Sequence, residues 1–211
     1  MDTINTPTPQ PFEAVRDQNE QVYWTSRPTF FPFMLTGVPF LIVGLLWGAM
    51  DYFGFIRHLM HGEGKKIVEF AIPFFALHLL PLWLSLLNMA RLFLVYGNTC
   101  YAYTNKRLMM RSGFWGIDFK TIDYDKIQEL EVDVDPVEKM LGVGTIRAFS
   151  GNTTSKGTRI YDEFVGIPKP YAVFKNIKQV SVDIKTDWHY PNALRPEDNP
   201  SYRTQYTPKQ N

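Results

Sequence analysis

Few residues in this chain have the types and spacing for chemistry. His58-Leu59-Met60-His61-Gly62-Glu63 sets two imidazoles and a carboxylate close together. On a helix His58 and His61 would share a face, and two histidines with a glutamate suit zinc. The HExxH arrangement is missing and no fourth ligand is evident, so the expectation is a polar loop without metal. His78 stands inside a long apolar run. An ionisable group there points to function. A neutral imidazole hydrogen-bonded to another helix is the simpler reading, and quinone or haem ligation the reactive one. Lys106, Arg107 and Arg111 attract anionic headgroups, at about 1 kcal/mol each near a bilayer surface. They are the candidate headgroup ligands.

Other patterns are weaker. Gly142-Val143-Gly144 supplies two of the three glycines of a dinucleotide fingerprint but leads into a strand rather than a helix, so it reads as a turn. Glu129, Glu131, Asp133 and Asp135 alternate along one strand, which suits solvation better than general acid–base work. The single Cys100 excludes an intrachain disulfide and a cysteine-based zinc site, and reads as a small buried strand residue. No Ser/His/Asp or Cys/His set stands out. The expectation is a protein that is not an enzyme and holds no cofactor.

The elements that carry these residues fall into two kinds. The 211 residues have a formal net charge of +1 and an unremarkable mean hydropathy of −0.18, which hides a split. Thr29 to Met50 and Phe70 to Ala90 contain no charged residue. At about 1.5 Å rise per residue each run covers roughly 30 Å of hydrocarbon. Pro32, Pro39, Pro73 and Pro81 are tolerated better in membrane helices than in soluble ones. Tyr23 and Trp24 before the first run, and Arg91 and Tyr96 at the end of the second, read as membrane-interface anchors. Between the runs lie Arg57, Lys65 and Lys66; on the other side lie Arg16, Arg27, Lys106, Arg107 and Arg111. Five against three predicts both termini in the cytoplasm. The first 28 residues lack the pattern of a signal peptide.

From Gly97 the period changes to two. Leu130, Val132 and Val134 alternate with acidic residues, predicting a half-buried strand. Tyr101 to Met110 reads as two strands around an Asn105-Lys106 turn, and Phe119 to Ile122 begins a third. Gly144 to Phe149, a polar loop and a further strand follow, with Phe164 to Ile167 as a last one. Pro170 then opens a helix whose apolar stripe includes Phe174, Ile177 and Ile184. Short antiparallel strands closed by one helix predict a small barrel or orthogonal sandwich.

Tyr101-x-Tyr103-Thr104-x-x-Arg107, Arg111-Ser112-Gly113 and Leu141-Gly142-Val143-Gly144-Thr145 follow two apolar runs, with Val22-Tyr23-Trp24 and Arg27-Pro28 ahead of them. In that order they resemble the bacterial pleckstrin-homology-like domain of membrane-flanked proteins, over about residues 20–185. The resemblance implies a pleckstrin-homology-like barrel with a C-terminal helix and a place in the bacterial inner membrane. It carries over no catalytic residues.

The combined expectation is an α+β membrane protein. Residues 1–28 form an extended N-terminal segment and 29–96 a two-helix transmembrane hairpin. Residues 97–190 form a small antiparallel β-barrel with a C-terminal helix, and 191–211 an extended Pro-rich tail. Between Gly97 and Tyr190 acidic and basic residues nearly balance, which disfavours nucleic acid as a partner. The expected partners are membrane lipids and other membrane-protein subunits. The expected role is a non-catalytic anchored binding module, an accessory or assembly subunit of a larger complex. The alternatives are an anionic-lipid sensor using the basic hairpin, and a redox or metal-binding subunit using His78 or His58/His61.

Overall fold

A computed structural model describes residues 10–57 and 73–189. The chain divides into a β-unit, residues 1–29 with 98–211, and a helical unit, residues 30–97.

The β-unit holds two antiparallel sheets. The first has strands β1 (Val22–Ser26), β2 (Cys100–Thr104), β3 (Arg107–Ser112) and β4 (Asp118–Asp123), paired in that order. The second has β5 (Glu129–Asp133), β6 (Val143–Thr153) and β7 (Arg159–Pro168), also in order. Of the expected small barrel or orthogonal sandwich, the described residues form two separate sheets and no closed barrel. A 3-10 turn at Tyr124–Lys126 ends β4, and the Gln128 N–H then bonds to the Phe149 carbonyl, which starts the second sheet. Near the corner where β1 ends, the Thr29 N–H donates to the Gly166 carbonyl at 2.8 Å. The polar stretch after Phe149 pairs in part, since β6 runs on to Thr153, and Phe164 to Ile167 belongs to β7 rather than to a separate strand.

Between the sheets lies a core of Tyr101, Tyr103, Leu108, Met110, Ile122, Tyr124, Ile146, Phe164 and Ile167. The C-terminal helix (Pro170–His189) covers it with Val173 and Ile177, backed by Phe174, Val180 and Ile184. The i, i+4, i+7, i+11 spacing from Val173 to Ile184 puts those residues on one helical face. That spacing overrides the local alternation of Val180, Val182 and Ile184.

In the first sheet β2 and the middle of β3 are buried on both faces. Tyr101 and Tyr103 point into the main core, while Cys100, Ala102 and Met109 pack under Phe12 and Val15 on the other side. A 3-10 turn at Gln10–Phe12 supplies that cover. β1 precedes the helical unit in sequence yet pairs with β2 beyond it, Ser26 opposite Tyr101. Residues 10–28 are therefore part of the β-unit rather than a separate extended segment.

A six-residue helix, Pro136–Leu141, joins β5 to β6. Asp135 caps it, accepting from the Val137 and Glu138 N–H groups, and the Asp135 N–H donates in turn to Glu138 Oε2. Gly142 ends it in the left-handed region, φ 68°, which an L side chain rarely adopts. The Gly142 to Gly144 pattern is thus a helix stop and a strand start.

In the helical unit, α1 (Phe30–Leu35) and α2 (Val38–Asp51) are separated at Thr36 and Gly37. Pro39 has no N–H for the Leu35 carbonyl, so the run does not form one helix. After Asp51 the helix widens to π geometry over Tyr52–Ile56. Residues 73–78 are helical, Leu79 turns, and α3 (Leu80–Asn98) follows with Pro81 in its first turn. A Cβ on Gly44 would meet Ser85 Oγ at 2.1 Å, and one on Gly48 would meet Leu82 Cδ2 at 2.9 Å. Gly37 faces Leu92 in the same way. As numbers rise on α2 they fall on α3, so the helices are antiparallel and small residues let them approach closely. Two helical segments, Val38–Phe55 and Leu80–Asn98, are long and apolar enough to cross a membrane. Leu46, Leu87 and Phe93 on their surfaces are exposed.

Candidate functional site

The Asn105-Lys106 turn positions Arg107 at the start of β3, where it meets residues from before β1. Arg107 donates through Nε to Glu20 Oε1 at 3.0 Å and through Nη2 to Glu20 Oε2 at 2.8 Å. The same Nη2 reaches the Val15 carbonyl at 3.1 Å and lies 3.4 Å from Asp17. Glu20 is buried and accepts two more bonds, from the Thr104 hydroxyl and the Asp17 N–H. Burial pushes its carboxyl pKa up, but the hydrogen bonds from Arg107, Asp17 and Thr104, with the Arg107 charge, outweigh this and hold it below the usual value. Lys106 Nζ lies 3.3 Å from Asp17 Oδ2.

Lys106, Arg107 and Arg111 do not form one patch. Two of them face acids of this chain. Arg111, four residues further along β3, is about 13 Å away by strand geometry. It is half-buried, and its Nε has no hydrogen-bond partner among the described residues. Balancing acids at positions 17 and 20 were not evident in the sequence, because their partner lies more than eighty residues on.

His78 finds a partner that the sequence reading passed over. Its Nε2 lies 3.4 Å from Oδ1 of Asp51, whose side chain is 0% exposed, with neither oxygen hydrogen-bonded among the described residues. The Trp47 indole N–H donates to the His78 carbonyl at 3.0 Å, and Phe74 stacks on the imidazole. Asp51 stands next to the uncharged run ending at Met50, so the signal was that the helix continues past it. No cluster of three or more His, Cys, Asp or Glu with metal-holding geometry occurs among the described residues. His58 and His61 lie outside them.

The expected interface anchors separate. Trp24 stacks on Tyr103 at 5.9 Å and on Phe164 at 6.3 Å, as part of the β-unit core. Tyr23 meets Tyr103 edge-on and remains partly exposed. In the helical unit Tyr96 packs against Phe30 and Phe33, and Arg91 is exposed. Of the acidic residues in and after β5, Glu129 pairs with Arg159, Asp133 with Arg147, and Asp135 caps the next helix. The sequence reading missed two exposed apolar groups: Phe114, Trp115 and Ile117 in the β3–β4 turn, and Val137, Met140 and Leu141 on the short helix.

Sheets of four and three antiparallel strands, closed by a C-terminal helix, have the layout of a pleckstrin-homology-like domain. The chain belongs to the family described as Bacterial PH domain, whose profile matches residues 33–181. Among solved structures it is similar to a DUF1696 family protein with a pleckstrin-homology domain from Shewanella loihica PV-4. The identity is 17% and the TM-score 0.30, over 39% of this chain and 71% of that one. No match is found among curated proteins.

Proposed function

We propose that the protein is a non-catalytic, membrane-anchored binding module that serves as an accessory or assembly subunit of a larger membrane complex. The observation that carries this reading is the outward apolar surface of the two long helices, with Leu46 67% exposed and Leu87 64%. A surface of that kind is covered by acyl chains or by partner helices. The apolar face of the short helix, with Met140 88% exposed, gives the β-unit a second surface that suits a protein partner. By the distribution of Lys and Arg, both termini and the β-unit lie on the cytoplasmic side of a bacterial inner membrane.

The lipid-sensor alternative is weaker, because Asp17 and Glu20 already neutralise Lys106 and Arg107. The redox or metal alternative is weaker at His78, whose Nε2 faces Asp51. Isolation of the chain from its own membrane in several mild detergents, followed by mass spectrometry, tests the proposal. Stoichiometric membrane partners are expected. A lone chain under every condition overturns it.

A further inference from the structure

The β3–β4 turn is a strongly exposed apolar feature of the β-unit. Trp115 is 93% exposed, Ile117 50% and Phe114 43%. It is a shaped turn. Gly113 adopts φ 155°, and a Cβ there would lie 2.0 Å from the Gly116 carbonyl oxygen. The Asn98 side-chain amide donates to the Gly113 carbonyl at 3.0 Å. This backbone presents three large apolar side chains outward, against the usual cost of doing so in water.

The register of the first sheet shows where the turn points. Ser26 opposes Tyr101, Cys100 opposes Arg111, and Ser112 opposes Asp118. The end of β1, the start of β2 and the β3–β4 turn therefore share one end of the sheet. At that end the chain leaves for Phe30 and returns from Gly97. The opposite end carries Asp17, Glu20, Lys106 and Arg107. One end of the sheet thus carries the exposed apolar turn, with Arg27, Arg111 and Asp118 close by, and holds both connections to the helical unit, while the other carries the acid–base cluster.

We infer that Phe114, Trp115 and Ile117 insert into the headgroup–acyl boundary of the bilayer that holds the helices. Trp and Phe favour that boundary, where their rings are partly dry. The occupant is lipid rather than a protein partner, because both chain connections to the apolar helices leave from this end. The insertion gives the β-unit a membrane contact of its own. It rests on the reading that the helices span a membrane.

Spin labelling of the full chain, reconstituted alone in phosphatidylcholine–phosphatidylglycerol vesicles at a low protein-to-lipid ratio, tests the inference. Gly116→Cys keeps all three apolar side chains and has open space for a label. Leu87→Cys reports on α3, and Lys156→Cys on the exposed β6–β7 loop. Buried Cys100 stays, with the unsubstituted chain as background. The expected result is high oxygen and low aqueous nickel-complex collision rates at positions 116 and 87, and the reverse at 156. Phe114→Ser with Trp115→Ser, both at exposed positions, should make position 116 resemble 156. An aqueous profile at 116 with a lipid profile at 87 overturns the inference and leaves the spans intact. An aqueous profile at both overturns the membrane reading and the inference with it. Protection at 116 that disappears on further dilution in lipid assigns the contact to a second copy, which also overturns it.

Discussion

Glu20 shows how one side chain holds a distant strand in place. It is buried, takes both ends of the Arg107 fork, and links the segment before β1 to the β2–β3 turn. Removing one partner of a buried pair leaves the other uncompensated, at about 3–5 kcal/mol. Glu20→Ala should therefore lose about that much β-unit stability in chemical denaturation, and Glu20→Gln less. Because the folded pKa of Glu20 is lowered, its stabilisation is full above the unfolded value of about 4.3. It is lost as pH falls through the lower folded value. Wild type should destabilise on acidification over that range more steeply than Glu20→Gln, as read by denaturation midpoints. The opposite sign holds for Tyr101, whose phenol is pushed up to about 12 by burial. Its contribution is present below the unfolded value of about 10 and is lost as pH rises through 12. Phenolate absorbance should show its titration delayed relative to the unfolded chain, and Tyr101→Phe should reduce that delayed component, to which buried Tyr103 and Tyr124 also contribute.

At the scale of elements, small residues set how closely α2 and α3 approach. Gly44 has no room for a Cβ against Ser85 and the Pro81 carbonyl, whereas Gly54 has nothing within 4 Å. Gly44→Leu should separate the helices and lower the detergent melting temperature, while Gly54→Ala should leave it nearly unchanged. If both behave alike, close packing at Gly44 is not what holds the hairpin. The short helix depends on its ends in a comparable way. Asp135→Ala removes the cap of a six-residue helix and should cost about 1 kcal/mol. The capping box, Asp135 and Glu138 with Pro136 between, was legible in the sequence, yet the alternation of acids drew Asp135 into the preceding strand. The two signals compete locally, and the first-turn proline decides for the helix.

For the whole molecule, the first sheet is made from chain on either side of the helical unit. Thr25 bonds to the Tyr101 carbonyl across seventy-six positions of sequence. Trp24 fills the core between Tyr103 and Phe164, and Phe12 covers the outer face of β2 and β3. Residues 98–189 alone should therefore fail to give a cooperative thermal transition by circular dichroism. A chain carrying residues 10–29 joined to 98–189 through a short flexible linker should regain it, since Ser26 and Tyr101 are already paired. Cooperative folding of 98–189 by itself would show that β1 is an accessory to the sheet rather than part of its core.

Local pattern alone determined the two apolar helical runs, the alternating strands after Gly97, the Asn105-Lys106 turn and the C-terminal helix. Each is written in periodicity, in charge-free length or in proline and glycine placement, all of which act over a few residues. Tertiary structure alone decided that β1 joins a sheet across the helical unit and that the sheets stay separate instead of closing a barrel. It also decided that Arg107 faces Glu20, and that Asp51 meets His78 within an otherwise apolar hairpin. These depend on which residues meet across long sequence separations. Pairing register and desolvation settle that, and no short window of sequence records either.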